Sequence, residues 1–301
     1  MSPGPSLSTT LRGSATVREK IQERPHDLGD RIRILKDWLH QIEETRGTKK
    51  GKVLSICNLK GGVGKTITAI NLSAFLAAYK KRTLLMDLDP QGHCGLGLGI
   101  DVENLEKSIY DTLLDGSRNL TDPIVPIKPN LDIIPANIDL AGLETELMKD
   151  DQRTTKLAEK LRSIKHLYEY IVIDCPPSIG LLTINALVAS HAVIIPVQSS
   201  ILSLYGIEKI METVGTLMET LSLDIKVYLL LTLFEWHLRE SWIVRERIKS
   251  AFGRLLLNTI IRKNTRLNEA VRRGVSILEY EPRSIGAHDY HQLAREIMQI
   301  E

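Results

Sequence analysis

From residue 52 onward, short and continuously apolar runs recur along the chain: KVLSICN, RTLLMDLD, LDIIPA, YIVIDCPP, AVIIPVQ and KVYLLLTL. Amphipathic stretches such as TAINLSAFLAAYKK and SLYGIEKIMETVGTLMETL separate them. A strand that is apolar on both sides has to be buried on both faces, and a helical stretch between two such strands is the crossover of a βαβ unit. The pattern predicts an α/β fold with a doubly wound, mostly parallel sheet and helices on both faces. Ligands of such sheets bind at the carboxyl ends of the strands. No internal repeat of fixed period interrupts the alternation.

The first 50 residues read differently. Residues 1 to 26 are rich in Ser, Thr, Pro, Gly and charge, the composition of a mobile leader. DLGDRIRILKDWLHQIEETRG follows, with Leu35, Trp38, Leu39 and Ile42 spaced for one amphipathic helix, Asp27 or Asp30 as its cap and Gly47 as its stop. Its apolar stripe is expected either to pack on the main domain or to contact another protein. The segment is too short for an operator-reading module with its own core. The organisation expected is therefore a leader plus helix over 1–50 and a single large domain over 51–301.

Composition narrows the class without naming a function. The 301 residues are 43% hydrophobic and 25% charged, with a formal net charge of +2, so a basic surface has to be local. No apolar run approaches the roughly 18 residues of a membrane span. The N-terminus lacks an apolar signal region, and a cytoplasmic protein with no membrane partner is expected. Cys57, Cys94 and Cys175 are far apart in sequence and form no C-x-x-C pair, which argues against a disulfide framework or a structural zinc site. His288 and His291 share a helical face that reads as solvated surface.

ICNLKGGVGKT, residues 56 to 66, carries the first chemistry. A strand ends, a glycine-rich loop turns, and a helix begins, the context that a phosphate-binding loop requires. Gly61, Gly62 and Gly64 free the backbone to take positive φ, so that N–H groups of the loop, Val63 included, line an anion nest at a helix N-terminus. Lys65 is the candidate for the β- and γ-phosphates and Thr66 for the metal ion. Where the usual loop has its first glycine this chain has Leu59, and a second lysine, Lys60, follows. Two further strands end in acid: Asp87 and Asp89 in LLMDLDPQG, and Asp174 in YIVIDCPPS. Asp174, with Asp87, is the candidate for the Mg²⁺ shell, and Asp89 for orienting the attacking water. Pro176 and Pro177 stiffen the segment after Asp174.

KGGVGKT, DLDPQG and IDCPPS together resemble the deviant-Walker-A ATPases, and within them the ParA plasmid and chromosome partition proteins. The likeness continues through IIPVQSS, RLNEA and EPRSIGAHDYHQLAREI and covers roughly residues 52 to 300. The resemblance implies a homodimer with ATP and Mg²⁺ sandwiched between subunits, Lys60 reaching the nucleotide of the other subunit, and slow ATP hydrolysis. Lys60, Lys65 and Asp89 are then the catalytic set. The chain departs from the family at Leu59, where glutamine is usual, and at Ile67, where a second threonine commonly donates to the α-phosphate. Loss of that bond predicts nucleotide binding weaker by about 1 kcal/mol.

A local excess of cations lies between His237 and Arg273. Such an excess suits sequence-independent, salt-sensitive contacts to phosphate. By resemblance, this C-terminal part binds non-specific double-stranded DNA. The contact residues expected are Arg239, Lys263, Arg266, Arg272 and Arg273, although His237 and Arg262 replace an arginine and a proline usual in the family. The resemblance also implies a ParB-like centromere-binding partner that stimulates hydrolysis, and association with the nucleoid. The competing reading is a MinD-like or protein-cargo-positioning ATPase acting at a membrane or on a non-DNA assembly. An iron–sulfur reductase of nitrogenase type would need paired cluster cysteines, and Cys94 and Cys175 lie beside nucleotide motifs instead.

Overall fold

The computed structural model describes residues 51–301. The expected leader and the helix carrying Trp38 lie outside the described residues. Eight strands form one sheet: β1 Lys52–Ile56, β2 Thr83–Asp87, β3 Val125–Lys128, β4 Leu131–Ile134, β5 Tyr170–Asp174, β6 Ala192–Gln198, β7 Lys226–Phe234 and β8 Leu256–Arg262. Their order is β3-β4-β2-β5-β1-β6-β7-β8, parallel throughout except for the antiparallel β3–β4 pair. The expected mostly parallel, doubly wound sheet is what the chain forms.

The helices follow the strands in alternation. They are α1 Lys65–Ala78, α2 His93–Gly97, α3 Ile109–Leu114, α4 Leu143–Glu146, α5 Lys156–Ile164, α6 Leu181–Ala189, α7 Ile201–Thr220, α8 Arg239–Phe252, α9 Thr265–Arg272, α10 Ile277–Tyr280 and α11 Ile285–Ile300. Helix α1 is buried nearly all round, because Ala69, Ala74 and Ala77 let it lie close on the sheet while Ile70, Leu72 and Leu76 fill the space beside it. Helix α11 closes the same side through Tyr290, Leu293, Ala294 and Ile297. The C-terminal stretch is thus a core helix, and none of the described helices is long and apolar enough to cross a membrane.

Two strands were not legible as continuous apolar runs. Strand β3 is four residues at the sheet edge and contains Pro126, which has no N–H to give a ladder. Strand β8, at the other edge, mixes Asn258 and Thr259 with its apolar residues and is only partly buried. His291 also departs from expectation. Its ring stacks on Tyr79 with centroids 5.6 Å apart and lies 2.6 Å from the Tyr79 hydroxyl, so it is packed surface joining α11 to the end of α1.

Strand register positions the chemistry. β5 lies between β1 and β2, and Asp174 pairs with both Ile56 and Asp87. The chain therefore leaves the last level of β1 into the glycine-rich loop beside the two acidic strand ends. This is the point where crossovers diverge, one way towards β2 and the other towards β6, and it opens the crevice where such sheets bind ligands.

Candidate nucleotide site and basic surface

The loop between β1 and α1 is held from two strands, β6 and β7. Asn58, buried, donates its side-chain Nδ2–H to the Pro196 carbonyl of β6 at 2.6 Å, and its side-chain Oδ1 accepts the Lys60 backbone N–H at 2.9 Å. Thr232 of β7 donates its hydroxyl to the Val63 carbonyl at 2.8 Å. Val63 itself is buried, so it anchors the loop while the glycines around it stay open. Gly62 and Gly64 have φ of 74° and 88°, in the region that favours glycine. Gly61 does not share that conformation, a correction to the expectation for all three. A Cβ at any of the three would meet no protein atom within 4 Å, which leaves the inner face of the loop clear for a ligand to approach the backbone.

The two lysines of the loop behave differently. Lys65 is buried at the start of α1, and its ammonium donates to the Lys60 carbonyl at 3.2 Å. Lys60 is exposed and reaches out of the loop to Gln198 Oε1 at 3.4 Å. One cation is thus held inside the loop and the other presented at its rim. Ile67 is partly buried against the hydrophobic core, so its methyl groups pack where a hydroxyl was expected to donate.

Thr66 and Asp174 form the centre of the acidic side. The Thr66 hydroxyl donates to Asp174 Oδ2 at 2.7 Å, while Asp174 Oδ1 is buried with no hydrogen-bond partner among the described residues. Burial lifts the Asp174 carboxyl to about 7, and the charge of Asp89 adds to this against hydrogen bonds from Thr66 and Cys94 and the cation of Lys65. Asp87 is raised too, first by burial and then by the charge of Asp174. Both Asp87 oxygens accept backbone N–H groups, from Asp89 at 3.0 Å and from Cys94 at 2.9 Å, so this residue also shapes the turn that carries Asp89. Asp89 Oδ1 accepts the Gln91 N–H at 3.0 Å.

Ligand atoms of Asp87, Cys94 and Asp174 lie within 4.8 Å of one another. Two buried carboxylates at adjacent strand ends disfavour each other's ionisation, and a divalent cation removes that conflict. The unpartnered Asp174 oxygen, the neighbouring Thr66 hydroxyl and the open glycine loop fit a metal–nucleotide complex. Cys94 is the residue that sequence reading missed here: its thiol donates to Asp174 Oδ2 at 3.4 Å. Cys57 and Cys175, remote in sequence, follow the paired residues Ile56 and Asp174, and the Cys175 N–H donates to the Ile56 carbonyl at 3.1 Å. Asn58, Thr232 and Gln198 also escaped, although Asn58 and Gln198 lie inside the quoted motifs.

The basic residues come together only in part. Lys263 and Arg266, at the start of α9, line a groove of about 580 Å³ with Arg283, a third exposed cation not among the expected contacts. Arg239 begins α8 and lines a different groove with Arg247. Arg272 and Arg273 sit at the other end of α9 and line neither. Several cations have partners of their own: Lys263 with Glu235 at 3.2 Å and Arg266 with Glu269 at 2.7 Å. Arg262, where a proline was usual, pairs with the buried carboxylate of Asp289 and ties β8 to α11.

A family model described as an AAA domain matches residues 51–227. The sporulation initiation inhibitor protein Soj of Bacillus subtilis is 44% identical over 248 residues, which are 82% of this chain and 98% of the relative. The chromosome partitioning protein ParA of Myxococcus xanthus is 41% identical over 250 residues, 82% of this chain and 88% of the relative. Among solved structures, cobyrinic acid a,c-diamide synthase of Mycobacterium smegmatis with bound ATP analog and magnesium superposes with a TM-score of 0.73. It is 31% identical, over 83% of this chain and 95% of that one. The matched length, the loop with its two lysines and the acidic strand ends all agree: the chain belongs to the ParA-type ATPases, in the deviant-Walker-A group of P-loop NTPases.

Proposed function

We propose that the chain binds and hydrolyses ATP with Mg²⁺, and uses the bound state to dimerise and to hold DNA non-specifically for partition or positioning. The observation that carries this reading is the division of labour between the two loop lysines, Lys65 enclosed and Lys60 at the rim. A lysine that faces out of its own loop suits the phosphates of a second subunit, where several negative oxygens would otherwise oppose association.

In this reading the domain over 51–301 does the chemistry. Lys65 and the loop N–H groups around Gly61, Gly62, Val63 and Gly64 hold the β- and γ-phosphates. Thr66, with Asp174 and Asp87 behind it, holds the cation. A Mg²⁺ ion held there would supply positive charge against the phosphates. Asp89, fixed by its turn to Asp87, orients the attacking water. DNA contacts come from Arg239, Lys263 and Arg266, with Arg272 and Arg273 at the margin, and a ParB-like partner stimulates release. The similarity to Soj and ParA supports the partition role over other cargo.

The test is binding of random-sequence duplex DNA by the full chain with ATP, ADP and no nucleotide across a salt series. ATP-dependent binding with a steep salt slope is expected. Nucleotide binding without any ATP-dependent DNA binding would remove the partition reading and leave the ATPase.

A further inference from the structure

The last turn of β7 builds an exposed aromatic corner for which the nucleotide chemistry has no use. The β7–β8 register shifts between Leu231 and Phe234, and Leu233 within the shift has φ of 50°, an unusual backbone for leucine. This irregularity turns the chain so that Phe234 stays buried while Trp236, two residues on, is 56% exposed. Trp242 of α8 completes the corner. Its ring meets Trp236 at 4.6 Å and 78° and Phe234 at 5.2 Å and 86°, and its indole N–H donates to the Trp236 carbonyl at 3.0 Å. The rings are fixed against each other edge to face. Among the described residues no aromatic ring lies parallel to Trp236.

The surroundings carry more cation than acid. Arg239 and Arg247 line a groove of about 720 Å³ with Trp242, Ile243 and Glu246; Glu246 pairs with Arg245, and neither Arg239 nor Arg247 has a carboxylate partner among the described residues. Lys263, the residue after β8, adjoins with its backbone N–H bonded to the Phe234 carbonyl at 3.0 Å, its ammonium being paired with Glu235. Unpaired guanidinium groups beside a rigid, exposed indole form the combination that holds a phosphate backbone and stacks a base. The charge favours a polyanion over an apolar protein surface, and the aromatic rings favour one whose bases are free. Bases of an intact duplex are stacked on each other, so an indole can take one only after unstacking costing a few kcal/mol.

We infer that the Trp236–Trp242 corner, with Arg239 and Arg247, is a binding site for single-stranded DNA, in which an unpaired base stacks on Trp236. The inference rests on the DNA-binding reading and adds to it a substrate class: strand ends, frayed or unwound DNA. The corner also sits one step from the nucleotide loop, since Thr232 of the same strand holds the Val63 carbonyl.

The experiment uses the full chain with ATP and Mg²⁺, a 20-nucleotide oligo-dT and a 20-base-pair duplex, followed by tryptophan fluorescence and by anisotropy of labelled DNA. Oligo-dT is expected to quench the fluorescence. Trp236→Ala and Trp236→Leu are both expected to bind oligo-dT about tenfold more weakly, the effect of losing one stacked base, with duplex binding changed less than twofold. Trp236→Phe keeps a ring and is expected to retain most of the affinity. Equal oligo-dT binding by wild type, Trp236→Ala and Trp236→Leu, or binding without quenching, overturns the inference. Duplex bound and oligo-dT not bound overturns it alone; neither DNA bound in ATP overturns the partition reading with it.

Discussion

Around the glycine-rich loop the charged groups other than Lys60 are buried and converge on strand ends that are neighbours in the sheet, whereas on the C-terminal surface most are exposed and spread over α8, α9 and the segments flanking them. In the first region much of the placement is by backbone: Asp87 by two N–H groups, Asn58 by a carbonyl of β6, and Asp174 by the strand register that sets it beside Ile56. In the second, placement is by side-chain pairing, and much of the positive charge is already matched by Glu235, Glu269 and Asp289. A buried site costs desolvation and so has to be over-determined, while a surface that binds phosphate without sequence preference tolerates loose placement. A count of cations along a chain therefore overstates how many are free to meet a ligand.

The sharpest way to break this contrast is at Lys65. Lys65→Ala is expected to weaken ATP binding about a hundredfold, the loss of charged hydrogen bonds worth about 3 kcal/mol, as read by calorimetry with a fluorescence competition check. A small effect would mean that the buried cation belongs to the fold and not to the phosphates.

Asp132 tests whether burial alone marks a site. It lies in β4, is nearly buried, accepts the Tyr168 hydroxyl at 3.0 Å, and is lifted to about 6 chiefly by burial. Its folded value exceeds its unfolded one, so the folded state holds the proton over roughly pH 4 to 6, and stability falls as pH rises through that window. Asp132→Asn keeps an acceptor for Tyr168 and removes the ionisation. The urea midpoint should lose part of its slope over that window, by up to roughly 3 kcal/mol, with ATP binding unchanged.

Arg262 and Arg266 separate structural from available charge. Arg262→Ala leaves Asp289 buried without its guanidinium and is expected to destabilise the fold by about 2 kcal/mol, seen as a lower Tm. Its effect on the salt slope of DNA binding should be small. Arg239→Ala, which removes a cation with no carboxylate partner among the described residues, should lower that slope by about 1 with little change in Tm. The smallest effect is expected at Glu269→Gln, which releases Arg266 from its 2.7 Å pair and should strengthen DNA binding about twofold. If Glu269→Gln weakens binding instead, the pair holds Arg266 in place for the DNA and the comparison needs redrawing.

Legibility followed the same division. The parallel core strands could be read because burial on both faces demands unbroken apolar runs, as in YIVID and AVIIPVQ. The edge strands β3 and β8 could not, because an edge tolerates Pro126 and Asn258. Residues of the glycine-rich loop are contiguous, so their spacing alone announced them. Cys94 and Thr232 had no such spacing and act through neighbours 80 and 169 positions away.

By itself, then, the order of residues determined the alternation of strands and helices, the loop with its two lysines and the acidic strand ends, since each depends on local periodicity or on a short run of backbone. The tertiary structure alone decided what depends on contact across the chain. Lys60 faces out while Lys65 faces in. Arg262 is spent on Asp289, and Phe234, Trp236 and Trp242 close into one exposed corner. The reason is physical: a side chain's availability is set by what the folded sheet packs or pairs against it, and those partners lie far off in sequence.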